Sequence, residues 1–187
     1  MTIGGSPDPI DDAEWPTDLE EIRQQFAGAL NVYRTMAHHP QLLAAWAPLR
    51  RHVVKENTLP PRLQELVVLR TAYHAGSRYE WSHHVARGLA AGLSIKEIEA
   101  VGWLDPAADL DETERAIIDC VDSLQRQHRL SPELRARVSQ HLSVRQVMDL
   151  MALVGFYHVL AYIIETFETP LDRGIDSHRA AGWSGHD

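Results

Sequence analysis

The sequence predicts an all-α fold, a bundle of about seven or eight helices. Three observations carry that expectation. No stretch of useful length alternates apolar and polar residues with period two, as a half-buried strand requires. Apolar residues instead recur at three- and four-residue spacing along most of the 187-residue chain. Those runs are punctuated by helix signals: Ser-x-x-Glu/Gln boxes, prolines at first helical positions, and glycines after last turns. An apolar fraction of 44% and a charged fraction of 24% suit a globular protein, and the length suits one domain with a sizeable core.

Residues 1–16 are rich in Gly, Pro and Asp and are expected as a flexible leader to a single helical domain, 17–170. The spacing of Leu19, Ile22, Phe26, Leu30 and Tyr33 predicts one amphipathic helix from Leu19 to about Ala37, broken by His38-His39-Pro40. A short helix through Leu42, Leu43 and Trp46 is expected to end near Pro48, and Arg51 to Pro60 reads as a connector. Pro60 or Pro61 opens a helix to about Tyr73, Ala75-Gly76 turns the chain, and a helix follows from Ser77 to about Ala91. Gly92 stops it. Ser94 with Glu97 starts the next helix, to about Trp103, and Leu104 to Leu110 is a loop. Glu112 to about His128 is helical with Ala116, Ile117, Cys120, Val121 and Leu124 on one face. Ser131-Pro132 starts a helix to about His141, and Ser143 with Gln146 starts a long, largely buried one to about Phe167. Residues 171–187 read as an irregular tail, an arm for a neighbouring subunit being one use.

A formal net charge of −8 without a Lys/Arg block argues against nucleic acid or an anionic membrane as partner. No apolar run is expected to reach the ~20 residues of a membrane span, Met151 to Ile164 being interrupted by Gly155, Tyr157 and His158. The acidic N-terminus lacks the basic-then-apolar order of a signal peptide, so a cytoplasmic location is expected. The single cysteine, Cys120, permits no CxxC pair and is read as a packed core residue.

The chemistry concentrates between Glu65 and His84. With a helix starting near Ser77, the residues Ser77, Glu80 and His84 share one stripe at i, i+3 and i+7, and Glu80 and His84 are i,i+4 neighbours. Glu65 sits on the preceding helix among Leu63, Leu66, Val67, Val68 and Leu69. A convergence of two carboxylates, a hydroxyl and an imidazole makes a proton-transfer site. The bland reading is a helix-surface pair worth about 0.2–0.5 kcal/mol, with Glu65 bridging to Arg62. His83, turned by about 100° from His84, reads as a subunit-contact or surface residue. The 11 histidines raise metal binding, but the spacing of Glu65, Glu80, His83 and His84 matches no closed metal motif, and no metal is expected. Tyr79, Trp81 and Tyr157 are read as core or interface, with room for one of them to line a pocket.

Taken together, Pro61-Arg62-Leu63-Gln64-Glu65-Leu66, Tyr79-Glu80-Trp81-Ser82-His83-His84 and Gly92-Leu93-Ser94 resemble the carboxymuconolactone decarboxylase family, whose fold is the alkylhydroperoxidase D-like helical bundle. The resemblance is strongest from Leu59 to Val101, and weaker at Asn31 to Pro40, at Gly155-Phe156-Tyr157-His158 and at Pro170-Leu171-Asp172. The peroxidase branch of the family carries a glutamate, a CxxC pair and a following histidine. Laid on this chain these fall on Glu65, Ser77, Glu80 and His84, so both sulfurs are absent. Peroxidase or peroxiredoxin activity by that route, which needs a thiolate and a resolving thiol, is therefore not expected.

The decarboxylase branch, similar in lacking the redox pair, converts a carboxylated lactone to the enol-lactone without a cofactor. That resemblance implies His84 as acid/base, Glu80 and Glu65 orienting it or sharing a proton, and Ser77 donating to a substrate oxygen. The expected function is a cofactor-independent lyase or hydrolase acting on a small lactone or oxo-acid. The alternative is a non-catalytic helical oligomer that binds a small ligand or a protein. The family implies a homo-oligomer: dimer, trimer or hexamer.

Overall fold

The computed structural model describes residues 5–103 and 110–175. Among them the chain forms nine α-helices and no strand, in accord with the all-α patterning. They are α1 (Glu20–Gln25), α2 (Asn31–Met36), α3 (Pro40–Arg51), α4 (Pro61–His74), α5 (Arg78–Ala90), α6 (Ile95–Trp103), α7 (Glu112–Gln127), α8 (Pro132–Val138) and α9 (Val144–Thr166). The expected 104–110 loop, the start of the leader and the end of the tail fall on 104–109, 1–4 and 176–187, outside the described residues.

Helix α4 is the hub. Every residue from Leu66 to Ala72 is buried, so this helix needs cover all round its circumference. Helices α5, α6, α7 and α9 supply it. One core cluster gathers Leu43, Val67, Ile117, Leu150 and Leu153, and a smaller one gathers Leu66, Leu69, Trp81, Ile98 and Ile118. Cys120 belongs to the larger, as its helix face predicts.

The sequence signals for helix ends are realised at the expected residues. Pro61 is the first residue of α4, Ser94 and Glu97 bond each other's backbone N–H, and Ser143 and Gln146 form the full capping box of α9. Gly76 takes φ +66, where a side chain would be strained, and the Ser77 N–H closes onto Ala72 O at 3.0 Å. This two-residue turn folds α5 back along α4. Glu65, eleven residues before Gly76, and His84, eight after it, lie roughly 12–16 Å from the turn at a rise of 1.5 Å per residue. They are brought level.

Several expectations are corrected. The helix expected from Leu19 to Ala37 is broken, because Leu30 is extended (φ −128, ψ 132) and lets Asp172 Oδ1 accept from the Asn31 N–H at 2.9 Å. A carboxylate from the distant tail thus caps α2. Pro48 does not end α3: the Ala44 carbonyl it cannot serve lies on an exposed stretch open to water, and the helix runs on into a π-turn, His52–Glu56. The leader is not loose from Pro9 onward. Ile10 and Trp15 are buried, and Arg34 donates to Ile10 O at 2.8 Å. Helix α9 is, by length and composition, apolar enough to cross a membrane, although half of its most apolar stretch is buried against this fold.

Arg70, 2% exposed, sits inside the α4 hub. It donates to both oxygens of Asp122 on α7 at 2.6 and 2.9 Å, and to the Val101 and Gly102 carbonyls at the end of α6. Burial raises the Asp122 pKa, but the bonds from His74 and Arg70 outweigh it and hold it at about 2. The stabilisation is complete above 3.8 and is lost as pH falls through about 2. Asp122→Ala leaves a buried guanidinium without its counter-charge, and we expect chemical denaturation to register a loss of about 3–5 kcal/mol. A loss under about 1 kcal/mol would mean that water reaches Arg70.

Candidate active site

A cavity of about 20 Å³, room for about one water molecule, lies between α2, α3, α5 and α9. Among the side chains that line it are Tyr33, Arg50, Glu80, His84, Arg87 and Tyr157. Glu80, His84 and Arg87 present themselves together because they follow one stripe of α5 at four- and three-residue spacing.

His84 is buried and held from both sides. Its Nδ1 lies 2.6 Å from Glu65 Oε2, across the α4–α5 hairpin. Its Nε2 lies 3.4 Å from Arg87 Nη1 and 3.7 Å from Glu80 Oε2. A carboxylate accepts and a guanidinium only donates, so the two partners fix one tautomer: Nδ1–H bonded to Glu65, with the Nε2 lone pair turned toward the cavity. Burial pushes the His84 pKa below its usual 6.5, against the pull of Glu65, so the ring is neutral at pH 7. The edge of the ring meets Tyr157 at 4.9 Å and 90°.

Glu80 is 4% exposed, and burial pushes its carboxyl up to about 7 although His83 and Arg87 pull it down. Near neutrality it therefore stands ready both to give and to take a proton. Burial also drives the Tyr33 hydroxyl up to about 12 and that of Tyr157 well above its usual range. Both remain donors.

The structure brings Glu65, Glu80 and His84 together. Ser77 is not with them. It is the N-cap of α5, accepting the Glu80 N–H at 3.4 Å, and its hydroxyl donates to Glu165. It does not line the cavity, so donation from Ser77 to a substrate finds no support. His83 is not a surface residue in this chain. It is 7% exposed and lines the cavity, with Nδ1 2.8 Å from Tyr79 O and Nε2 2.8 Å from Asp172 Oδ2. Both nitrogens face oxygen acceptors. Tyr79 also donates to Asp172. Burial raises the Asp172 pKa, but the bonds from His83, Tyr79 and Asn31 together hold it below the usual carboxylate value.

Arg87, Arg50 and Tyr33 join the site without having stood out in the sequence. Arg87 is within reach of the pattern, three residues after His84 on the same stripe. Arg50 and Tyr33 come from α3 and α2, and only the fold joins them: Arg50 Nε donates to the Tyr33 hydroxyl at 3.2 Å, and the guanidinium carbon lies 4.0 Å from the centre of the Phe26 ring. Cys120 is fully buried, and burial raises its thiol to about 11. That is no reactive thiolate. Among the described residues no three His, Cys, Asp or Glu side chains are grouped as a metal-binding set.

Residues 40–118 match the sequence profile of the carboxymuconolactone decarboxylase family. Comparison with curated protein sequences finds none that matches. Among solved structures, the chain is similar to a cysteine-to-alanine variant of the debrominase Bmp8 in complex with 2,3,4-tribromopyrrole (TM-score 0.74, 18% identity, 94% of each chain covered). It is also similar to an uncharacterized peroxidase-related protein from Silicibacter sp. TM1040 (TM-score 0.76, 18% identity, 94% of this chain and 97% of that one). A third is an uncharacterized peroxidase-related protein with an alkylhydroperoxidase AhpD core from Ralstonia eutropha JMP134 (TM-score 0.69, 16% identity, 94% and 95% covered). At these identities the likeness establishes the shared all-α fold.

The raised Glu80 pKa has a consequence for stability. Between its ordinary 4.5 and about 7 the folded chain binds the proton that the unfolded chain has lost, so the contribution is full below 4.5 and is lost as pH rises through about 7. Glu80→Gln keeps the shape without the charge. We expect thermal unfolding to show the variant little changed at about pH 4 and gaining on the wild type above pH 7, by up to ~3 kcal/mol. A difference that does not vary with pH would place this carboxyl in water.

Proposed function

From the premise that this chain belongs, through residues 40–118, to the carboxymuconolactone decarboxylase family, we propose that it is a cofactor-independent acid–base enzyme acting on a small carboxylated lactone or oxo-acid. The observation that carries this reading is the Glu65–His84 pair with the protonatable Glu80 beside it, at 2.6 and 3.7 Å. A fixed neutral imidazole and a buried acid titrating near neutrality form a matched pair for moving one proton each way.

In a decarboxylation the bond to the leaving carboxylate breaks, its electron pair passes into the conjugated carbonyl, and carbon dioxide departs. A proton must then reach the carbon that becomes protonated in the enol-lactone. Glu80, neutral at the outset, supplies that proton, and His84 Nε2 relays one back to it from solvent. Glu65, bonded at Nδ1, keeps Nε2 as the nitrogen that carries the relay. Arg50 and Arg87 bring two positive charges to the cavity wall, suited to an anionic substrate and to the enolate oxygen.

A second reading rests on the size of the cavity. A space of about 20 Å³ admits no lactone without motion of its walls, as suits a protein that opens to bind a ligand and performs no chemistry. Peroxide reduction has no thiolate to begin it, since the Cys120 thiol stands at about 11.

Incubation with carboxymuconolactone, followed by ultraviolet absorbance, tests the first reading. We expect turnover, with His84→Ala and Glu80→Gln each lowering kcat by ~100-fold or more. Glu65→Gln should lower kcat with little change in KM, because it removes the tautomer lock and leaves the pocket. Full activity in the His84 and Glu80 variants would overturn the assignment. Binding without turnover, unchanged in His84→Gln, would establish the second reading.

A further inference from the structure

An open cleft of about 920 Å³ lies next to the cavity, lined by residues 9–13, by residues 170–173 and by Ala29, Asn31 and Arg34. The two spaces share a stretch of backbone. Ala29 and Asn31 line the cleft, whereas the alternate residues Leu30 and Val32 line the cavity. Leu30 is extended, so its neighbours point to the other side, and the wall here is one chain thick. A lactone fits the cleft and does not fit the cavity of about 20 Å³.

Asp172 closes the seam between them. Its side chain lines the cleft and is 14% exposed. Oδ1 accepts from the Asn31 N–H at 2.9 Å, while Oδ2 accepts from the Tyr79 hydroxyl and lies 2.8 Å from His83 Nε2. Tyr79 and His83 both line the cavity. One carboxylate thus ties together groups from both sides of the wall.

The strap that carries it, Thr169 to Arg173, is flanked by two left-handed residues, Glu168 at φ +50 and Gly174 at φ +82. A glutamate keeps that conformation only while surrounding bonds fix it. Here the bonds run to α2: Asn31 Nδ2 donates to Pro170 O at 3.1 Å, and the Thr35 and Thr169 hydroxyls lie 3.2 Å apart. The strap is strained at one end and pinned by polar contacts. Exchanging its carboxylate for another leaves none of the three partners unsatisfied, whereas a neutral molecule would.

We propose that the Asn31 N–H, the Tyr79 hydroxyl and His83 Nε2 form a carboxylate subsite, filled in the closed molecule by Asp172, and that a small carboxylate arriving through the cleft displaces Asp172 and opens the wall to the cavity. The inference rests on reading the cavity as a site for a carboxylated lactone or oxo-acid, and it adds the way in. Asp172 is then a tethered competitor of the substrate, present at high effective concentration.

The probes are paraconate, a carboxylated γ-butyrolactone, and γ-butyrolactone itself, titrated calorimetrically into the full chain. We expect the wild type to bind paraconate, and Asp172→Ala to bind it at least ~10-fold more tightly because the competitor is gone. Tyr79→Phe added to Asp172→Ala should take back at least ~3-fold of that gain, since it removes one donor to the carboxylate. Circular dichroism checks that the variants fold. A measurement on the wild type needs no variant: paraconate should speed amide hydrogen exchange across residues 169–175, the reverse of ordinary protection by a ligand. Equal affinity in wild type and Asp172→Ala overturns the proposal. So does absence of binding, binding that leaves exchange at 169–175 unchanged or slower, or equal binding of γ-butyrolactone. None of these readouts needs turnover. Turnover of carboxymuconolactone without release of the strap would leave the acid–base reading standing and overturn this one, and release without turnover would do the reverse.

Discussion

The contact on which the site depends is the 2.6 Å bond between His84 Nδ1 and Glu65 Oε2. It joins two helices whose register the short turn at Gly76 sets, and it decides which nitrogen of the imidazole is free. Everything upstream serves its geometry. The Gly76 turn sets α5 antiparallel to α4, the burial of α4 from Leu66 to Ala72 fixes its rotation, and Arg70 with Asp122 anchors the same helix to α7. Arg87 opposes the bond from the other side of the ring, and a ring held between an acceptor and a donor cannot change tautomer without breaking both contacts.

The surroundings of Glu80 show what takes the place of sulfur. By resemblance this position carries the second cysteine in the peroxidase branch of the family. Here it carries an acid in full burial, near the Arg87 guanidinium, the His83 ring and the carboxylates Glu165 and Asp172. Burial dominates, so the group stays protonated up to about pH 7. With Glu80 neutral the cavity wall holds two guanidiniums and lacks their balance of negative charge. On the proposed reading an anionic substrate completes that balance, and its arrival favours the neutral form of Glu80 further. Binding thereby helps to keep the acid in the form that donates.

What is legible in the sequence is local. Helix starts at Pro61, Ser94 and Ser143, the turn at Gly76 and the meeting of Glu65, Glu80 and His84 all follow from spacing within about twenty residues. Two helical periods and one short turn fix them. What escapes is carried by long-range contacts that leave no periodic trace. Asp172 caps α2 at Asn31, 141 residues away, and holds His83, 89 residues away, so neither the break at Leu30 nor the inward place of His83 has a local sign. Ile10 and Trp15 are isolated apolar residues in a segment of turn formers, and only the site they fill distinguishes them from a solvated leader. Ser77 departs from expectation for the opposite reason. Its stripe is right, but capping and the bond to Glu165 engage its hydroxyl before any substrate can.

Helix α9 shows most plainly what periodicity can and cannot distinguish. A helix apolar on most of its circumference reads as buried, and the sequence of α9 predicts as much. Among the described residues the fold covers one face and leaves the other exposed, from Val144 to Tyr162. The hydrophobic pattern is the same whether the second face is closed by this chain, a lipid or another copy. What the structure does decide is the inner face: Leu150, Leu153 and Phe156 pack into the core and fix the rotation of α9, and with it the 90° angle at which Tyr157 meets the imidazole of His84.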